Sequence, residues 1–485
     1  MEPQEPNRDE TRTLNKSLNT PVPGGRRWRR AIVGAGRIAT WAVLVPPRAG
    51  LRAWAGMRPA QQVVAGFAAY SLVGALVLWT PLSQRGAGGF VDHLFTSVSA
   101  VSTTGLTTIS VPDTYTLFGE LVILALMQIG GIGFMTLSSM LVLARGRNLG
   151  RADEGILRAG FSVPHYFVMQ HFLVHVVTFT LLCETVGALL LWWRFAAAGV
   201  AQPLWSAVFH SVSAFATAGF SLNNNSLEAF AGDWVVNIVV GALCYAGAIG
   251  FIVAQDLWYT IKLRERMLTF TSKVILVMTA AVFVLGTAKI CLLEPSLSHL
   301  PLSERLLAGA FQIMTASTTA GFNTVPIGNL GTPAILILMT CMLIGASPSG
   351  TGGGIKTTSV SAILGNLLSV VRGRRTVVWM AHEIPMVRVL SAFAATSVYL
   401  VGLGGGVMAL SITERAPFLS LVFEAASAIG TVGLSMGITG DLTTPGKLIV
   451  TALMFAGRCG PLTIGLALLR PDVDPASAAS DDLAV

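Results

Sequence analysis

Four short stretches of this chain carry the same residue types at the same offsets. The first holds Phe95, Ser99, Ala100, Thr103, Gly105 and Leu106, and the second Phe209, Ser213, Ala214, Thr217, Gly219 and Phe220. The third holds Phe311, Thr315, Ala316, Thr319, Gly321 and Phe322, and the fourth Phe423, Ser427, Ala428, Thr431, Gly433 and Leu434. Thr104, Ala218, Ala320 and Val432 fill the variable place between Thr and Gly. One Thr-x-Gly carries no information, but six matched positions repeated four times do. Each stretch reads as a short helix that stops with its C-terminal end inside the membrane, where unpaired carbonyls and the helix dipole favour a cation. The Thr-x-Gly-Leu/Phe run then returns extended, and glycine lets the backbone approach a common axis. Four such runs around an axis make rings of carbonyl oxygens able to replace an ion's water shell, with the Thr hydroxyls as one more layer. None of the four runs contains a carboxylate, which suits a weakly hydrated monovalent cation better than Mg²⁺ or Ca²⁺.

A second chemical signal is a break. Between Gly345 and Lys356 the chain places five glycines and one proline in twelve residues: Gly345, Gly350, Gly352, Gly353, Gly354 and Pro348, with Ser347 among them. That composition cannot hold a regular helix, and at membrane depth it belongs where it lines a pore. The stretch ending in Lys356-Thr357 echoes a phosphate-binding loop, but Ile355 stands where that motif needs glycine. Arg458 lies inside an apolar segment, where a charge costs at least ~2.5 kcal/mol. It is expected to reach the broken segment or the cavity under the carbonyl rings and to raise a barrier there. Glu184 is also intramembrane and is expected to pair with a polar neighbour in the bundle. His165, His171 and His175 have no Glu between an i,i+4 pair, and no Ser-His-Asp set is present, so no enzymatic chemistry is expected.

The elements that must position these residues follow from composition. The chain has 485 residues, 53% of them hydrophobic and 12% charged, and a mean hydropathy of +0.68. A soluble domain carries about a quarter charged residues. The predicted class is an all-α polytopic membrane protein with eight spanning helices, at about 63–82, 117–144, 170–195, 234–261, 272–293, 333–371, 386–411 and 446–469. Between the members of each pair lie half-membrane segments at roughly 90–103, 204–217, 304–318 and 418–431, too short to cross. The result is four membrane–pore–membrane repeats around a central pore. The expected organisation is a basic N-terminal segment 1–62, repeats at 63–144, 145–262, 263–371 and 372–470, and a tail 471–485.

Net charge is +8, and eleven of the 32 Lys and Arg precede residue 60. Others cluster at every second gap between apolar spans, as at Arg145 to Arg158, Lys262 to Lys273 and Arg372 to Arg388. That is positive-inside topology, with both termini cytoplasmic and the basic face toward anionic lipid and not nucleic acid. Residues 1–30 read as disordered and 31–58 as an interfacial helix pair; no secretory signal is evident. The Gly-x-Gly at Gly34 and Gly36 lacks the strand–helix–strand unit that a dinucleotide site needs. Cys183, Cys244, Cys291, Cys341 and Cys459 all fall in apolar spans and read as buried small hydrophobes.

At the four repeats, and most specifically on Ser317 to Thr324, Gly430 to Ser435, Ser347 to Thr358 and Gly457-Arg458-Cys459-Gly460-Pro461-Leu462, the chain resembles the Trk/Ktr/HKT superfamily of potassium transporters, over about residues 63–470. Residues 31–58 cannot supply the two extra spans of Trk-type subunits, so the resemblance is nearest to the Ktr-type membrane subunit. It implies K⁺ uptake at the cell membrane through a channel-like filter, often stimulated by Na⁺. Glycine rather than serine at Gly105 favours potassium. It also implies that Gly345 to Lys356 is an intramembrane gating loop facing Arg458. The implied assembly is a homodimer, a pore in each subunit, docked on an octameric ring of KtrA-like nucleotide-binding regulatory subunits, with no organic cofactor bound by this chain. A cation-coupled secondary transporter working by alternating access would instead call for inverted halves around one central site, whereas the copies here are parallel.

Overall fold

A computed structural model of the chain describes residues 57, 59–86, 88–133, 169–263, 268–460 and 463. The expected interfacial pair at 31–58 therefore falls almost wholly, and the tail 471–485 wholly, outside the described residues. The regular structure of the described residues is helical apart from one two-stranded antiparallel hairpin, β1 (Val378–Trp379) with β2 (His382–Glu383), and an isolated bridge between Gln84 and Tyr115. Four times over, a long helix is followed by a short one, a Thr-x-Gly turn and a second helix. The first unit is α1 (Pro59–Leu78), α2 (Phe90–Val101) and α3 (Leu117–Ile132). The second is α4 (Met169–Ala197), α5 (Pro203–Phe215), α6 (Trp234–Ala248) and α7 (Phe251–Leu263). The third is α8 (Phe270–Leu293), α9 (Leu302–Thr318), α10 (Thr332–Ile344) and α11 (Thr357–Val371), and the fourth α12 (Met386–Thr413), α13 (Phe418–Ile429) and α14 (Thr444–Cys459).

Among the described residues, four helices are long and apolar enough to cross a bilayer, over Ala60–Leu78, Leu173–Ala197, Phe270–Leu293 and Met386–Thr413. Their outward faces expose Leu76, Leu182, Val284, Leu292, Val401 and Ile412, which in lipid need no cover. The chain is an all-α polytopic membrane protein. The second helix of each unit is shorter, because each stops at a glycine with positive φ: Gly133 (84°), Gly250 (96°), Gly345 (67°) and Gly460 (82°). The span expected over 234–261 is thus two helices bent by 97°. The bend has a cause: the carbonyls of Gly247 and Ala248, which a continuing helix would use, accept instead from Thr351 and Ser347.

The core explains why the repeat carries Phe and a large apolar residue after Gly. Phe209 and Phe220 are buried in the core of the first unit with Leu78, Tyr115 and Met127. Phe311 and Phe322 enter the core of the second unit, Phe423 and Leu434 that of the third, and Phe95 and Leu106 that of the fourth. Each unit drives two apolar side chains into the one before it, and the first into the last. Within a bilayer the gain is close van der Waals packing and not release from water, and these interlocked pairs hold the units in cyclic order. At one end of the bundle Lys447 of α14 reaches Asp92 of α2 at 2.7 Å, joining the fourth unit to the first.

Candidate functional site

The short helices α2, α5, α9 and α13 all end alike. Thr103, Thr217, Thr319 and Thr431 take φ of 54°, 52°, 57° and 49°, and their N–H groups donate to Ala100, Ala214, Ala316 and Ala428. The next N–H, of Thr104, Ala218, Ala320 and Val432, donates to the carbonyl of Ser99, Ser213, Thr315 and Ser427. This left-handed cap ends the helix and sends the chain back out. Ser99 and Ser427 go further, their hydroxyls accepting from the N–H of Gly105 and Gly433 at 3.0 and 3.1 Å. The repeated Ser therefore positions the glycine backbone. Among the described residues the hydroxyls of Ser213 and Thr315 have no such partner.

Gly105, Gly219, Gly321 and Gly433, with φ between 67° and 97°, meet at one place. A Cβ built on Gly105, Gly219 or Gly321 would lie 3.0 Å from the Cα of Gly219, Gly321 or Gly433 respectively. On Gly433 it would strike the carbonyl of Thr104, closing the circle. The neighbouring carbonyls of Ala218, Ala320, Val432 and Thr104 crowd these same positions. No side chain larger than hydrogen fits, and the backbone of all four units is packed into a single ring. Leu106, Phe220, Phe322 and Leu434 point away from it into the cores described above.

The segment between α10 and α11 lies against the Thr side of this ring. Thr103 Oγ1 donates to the Thr351 carbonyl at 3.3 Å, and Thr217 and Thr351 hydroxyls are 3.0 Å apart. Gly353 N–H donates to Thr319 Oγ1 at 2.9 Å. A Cβ on Gly353 would collide with Gly430 O and Thr431 Oγ1. All four Thr of the repeat thus meet Thr351 or Gly353. The segment is seated by Thr351 N–H on Gly247 O, Ser347 N–H on Ala248 O, and Thr351 Oγ1 on Phe215 O. Pro348 and Ser349 turn against Gly250, whose Cβ would strike Pro348 O. Gly345 and Gly354 pack face to face, and Gly350 lies on Ala248 O. Lys356 Nζ donates to Gly352 O at 2.6 Å and Gly353 O at 3.3 Å.

Arg458 donates to the carbonyls of Thr351 and Gly130. The broken segment and the arginine are therefore in contact. Glu184 accepts from Gln128 Nε2 at 2.6 Å and does not approach the ring. Thr351, which the sequence pattern does not single out, is the residue that the ring, the arginine and α6 share. Gly130 and Gly247, unflagged by sequence, and Gly457, noted there only as part of the Arg458 motif, are places where a Cβ would collide with the last carbonyl of the short helix, Val101 O, Phe215 O and Ile429 O. Each stands three residues before a breaking glycine, at Gly133, Gly250 and Gly460. That Gly-x-x-Gly recurrence is the signal that could have found them.

The model of a family described as TrkH, cation transport protein, matches residues 45–471. The Ktr system potassium uptake protein B of Bacillus subtilis is 36% identical over 419 residues, 84% of this chain and 93% of that protein. The potassium/sodium uptake protein NtpJ of Enterococcus hirae is 31% identical over 423 residues, 85% and 93% of the two chains. The crystal structure of the potassium transporter TrkH from Vibrio parahaemolyticus superposes with a TM-score of 0.67 over 84% of each chain at 20% identity, a likeness of fold.

Proposed function

The chain belongs to the TrkH family of cation transport proteins, and from that premise we propose that it takes up K⁺ across the bacterial cell membrane through the ring of four Thr-x-Gly turns. The observation that carries this reading is the cyclic closure from Gly105 through Gly219, Gly321 and Gly433 to Thr104. In this reading the backbone at Thr103 to Leu106, Thr217 to Phe220, Thr319 to Phe322 and Thr431 to Leu434 replaces the water around K⁺, and the Thr hydroxyls add the innermost oxygens. Ions are drawn inward by the membrane potential, about 2.3 kcal/mol per charge per 100 mV. The segment from Gly345 to Lys356 is the gate, since it seats on all four Thr, and Arg458 is its latch. The bacterial relatives named for potassium uptake support K⁺ as the ion, and the potassium/sodium name of one supports a stimulating role for Na⁺.

The term Ktr system in a relative's name supports a multicomponent assembly. We take the chain to work as a homodimer, both termini cytoplasmic, under a ring of nucleotide-binding regulatory subunits that moves the gate. The test is rescue of a potassium-uptake-deficient bacterium at low external K⁺ by the wild-type chain and by Gly321→Ser. Growth with the first and failure with the second supports the filter. Equal growth with both refutes it.

A further inference from the structure

A ring of backbone carbonyls has no side chain of its own to set its width; what lies behind it must do so. On the far side of each glycine, the outgoing strand carries a hydroxyl two or three residues on: Thr108, Ser221, Thr324 and Ser435. Each of these is hydrogen-bonded to a side chain of the short helix of its own unit. Thr108 Oγ1 donates to Asp92 Oδ1 at 2.8 Å, and His210 Nε2 lies 2.9 Å from Ser221 Oγ. Gln312 Nε2 donates to Thr324 Oγ1 at 3.1 Å, and Ser435 Oγ donates to Glu424 Oε2 at 2.7 Å. Glu424 Oε1 accepts a second bond, from Thr439 Oγ1 at 2.6 Å.

His210, Gln312 and Glu424 occupy one position of the repeat, next to the buried Phe, and all are 0% exposed. An apolar side chain there would pack as well as its Phe neighbour does. A carboxyl held in the protein by only two hydroxyls is a poor way to gain stability, because its burial costs more than neutral hydrogen bonds return. Its use is positional. All four bonds cross from helix to outgoing strand, three of them from the shared position and that of Asp92 from one helical turn earlier, and their chemistry differs: carboxyl, imidazole and amide.

We propose that Asp92, His210, Gln312 and Glu424 are positioning residues that brace the outer strands of the ring from behind and thereby set its preference for K⁺ over Na⁺. The inference rests on the reading of the ring as an ion filter. The four braces are not alike: Glu424 takes both its bonds from the hydroxyls of Ser435 and Thr439, whereas Asp92 shares its carboxylate among Thr108, Lys447 and the Gly89 N–H, so the ring is not equally stiff in its four quarters. A looser quarter lets the carbonyls close on a smaller ion, which erodes the discrimination without removing the pathway.

The test measures uptake of K⁺ against competing Na⁺ in the deficient bacterium, normalised to protein in the membrane. It compares His210→Leu, Gln312→Leu and Ser435→Ala with Glu424→Gln and with His210→Gln, whose amide can reach the same hydroxyl. The leucine and alanine variants are expected to lower the K⁺/Na⁺ ratio by about tenfold, the scale of one hydrogen bond to a charged or strongly polar group, while Glu424→Gln, whose amide can still reach Ser435 and Thr439, is expected to keep it. His210→Gln is expected to stay near wild type. A fault of folding alone lowers the rate or the amount of protein and leaves that ratio alone. For any variant that does not transport, thermal stabilisation of the purified protein by K⁺ relative to Na⁺ reads the same preference without turnover. An unchanged preference in His210→Leu, Gln312→Leu and Ser435→Ala overturns the proposal while wild-type K⁺ uptake stands. Absence of wild-type uptake overturns the filter reading itself.

Discussion

Arg458 donates a hydrogen bond from its guanidinium to the backbone carbonyl of Thr351, the residue whose hydroxyl meets Thr217 under the ring. A second nitrogen of the same guanidinium holds Gly130 O on the first unit. The fourth unit, the third and the first therefore meet at one side chain. Replacing it by Arg458→Gln removes charged hydrogen bonds worth about 1.5–3 kcal/mol each. The seated population of the loop should fall, and the initial rate of K⁺ uptake per protein should rise by about tenfold at matched expression. A rate equal to wild type would remove the latch from the account.

Gly353→Ala acts on the other side of the same contact. The added methyl would overlap Gly430 O and Thr431 Oγ1, so the loop cannot seat without moving. The expected outcome is uptake that no longer responds to the nucleotide of a regulatory subunit, measured in vesicles with that subunit present. Retained regulation would show that the loop seats elsewhere.

Gly433→Ala should be more damaging than Gly321→Ala. Both glycines have positive φ, 97° and 82°, which costs a non-glycine residue about 1–3 kcal/mol. A Cβ on Gly433 would overlap the Thr104 carbonyl oxygen more deeply than one on Gly321 would overlap Val432 O. Growth at low K⁺ should be lost with Gly433→Ala and reduced with Gly321→Ala, protein levels being equal by immunoblot.

Gly247→Ala should destabilise without touching the ring. Its methyl would collide with Phe215 O and lie 2.8 Å from Thr351 Oγ1, pushing α6 off the end of α5. Overpacking of this kind costs about 1–3 kcal/mol. The melting temperature in detergent should fall by several degrees, while Gly199→Ala, whose methyl meets nothing, should change packing little and lose only through its φ of 72°.

What could be read from the residues alone was whatever the fold demands more than once. The Thr-x-Gly turn was legible because four caps with φ near 50° and four glycines in contact impose the same residues four times. The segment from Gly345 to Lys356 was legible because its glycine content forbids helix. The bend at Gly250 was not, since Ile249-Gly250-Phe251 is apolar on both sides and a lone glycine barely interrupts a hydropathy profile. What breaks the helix there is the competition of Thr351 and Ser347 for its last carbonyls, a contact made from about a hundred residues away. Thr351 escaped notice for the same reason: its importance lies wholly in partners at Thr103, Thr217, Phe215 and Arg458. The polar residues beside the buried Phe differ in every copy, so no shared letter marks the place they share.

The bridge between Lys447 and Asp92 spans 355 positions of sequence. A ribosome making this chain delivers Asp92 355 residues before Lys447. Until α14 has been threaded into the bilayer, the circle lacks the bond that ties its fourth quarter to its first. Closure of the circle therefore waits on the insertion of the fourth quarter, whatever the order in which the other three settle against one another.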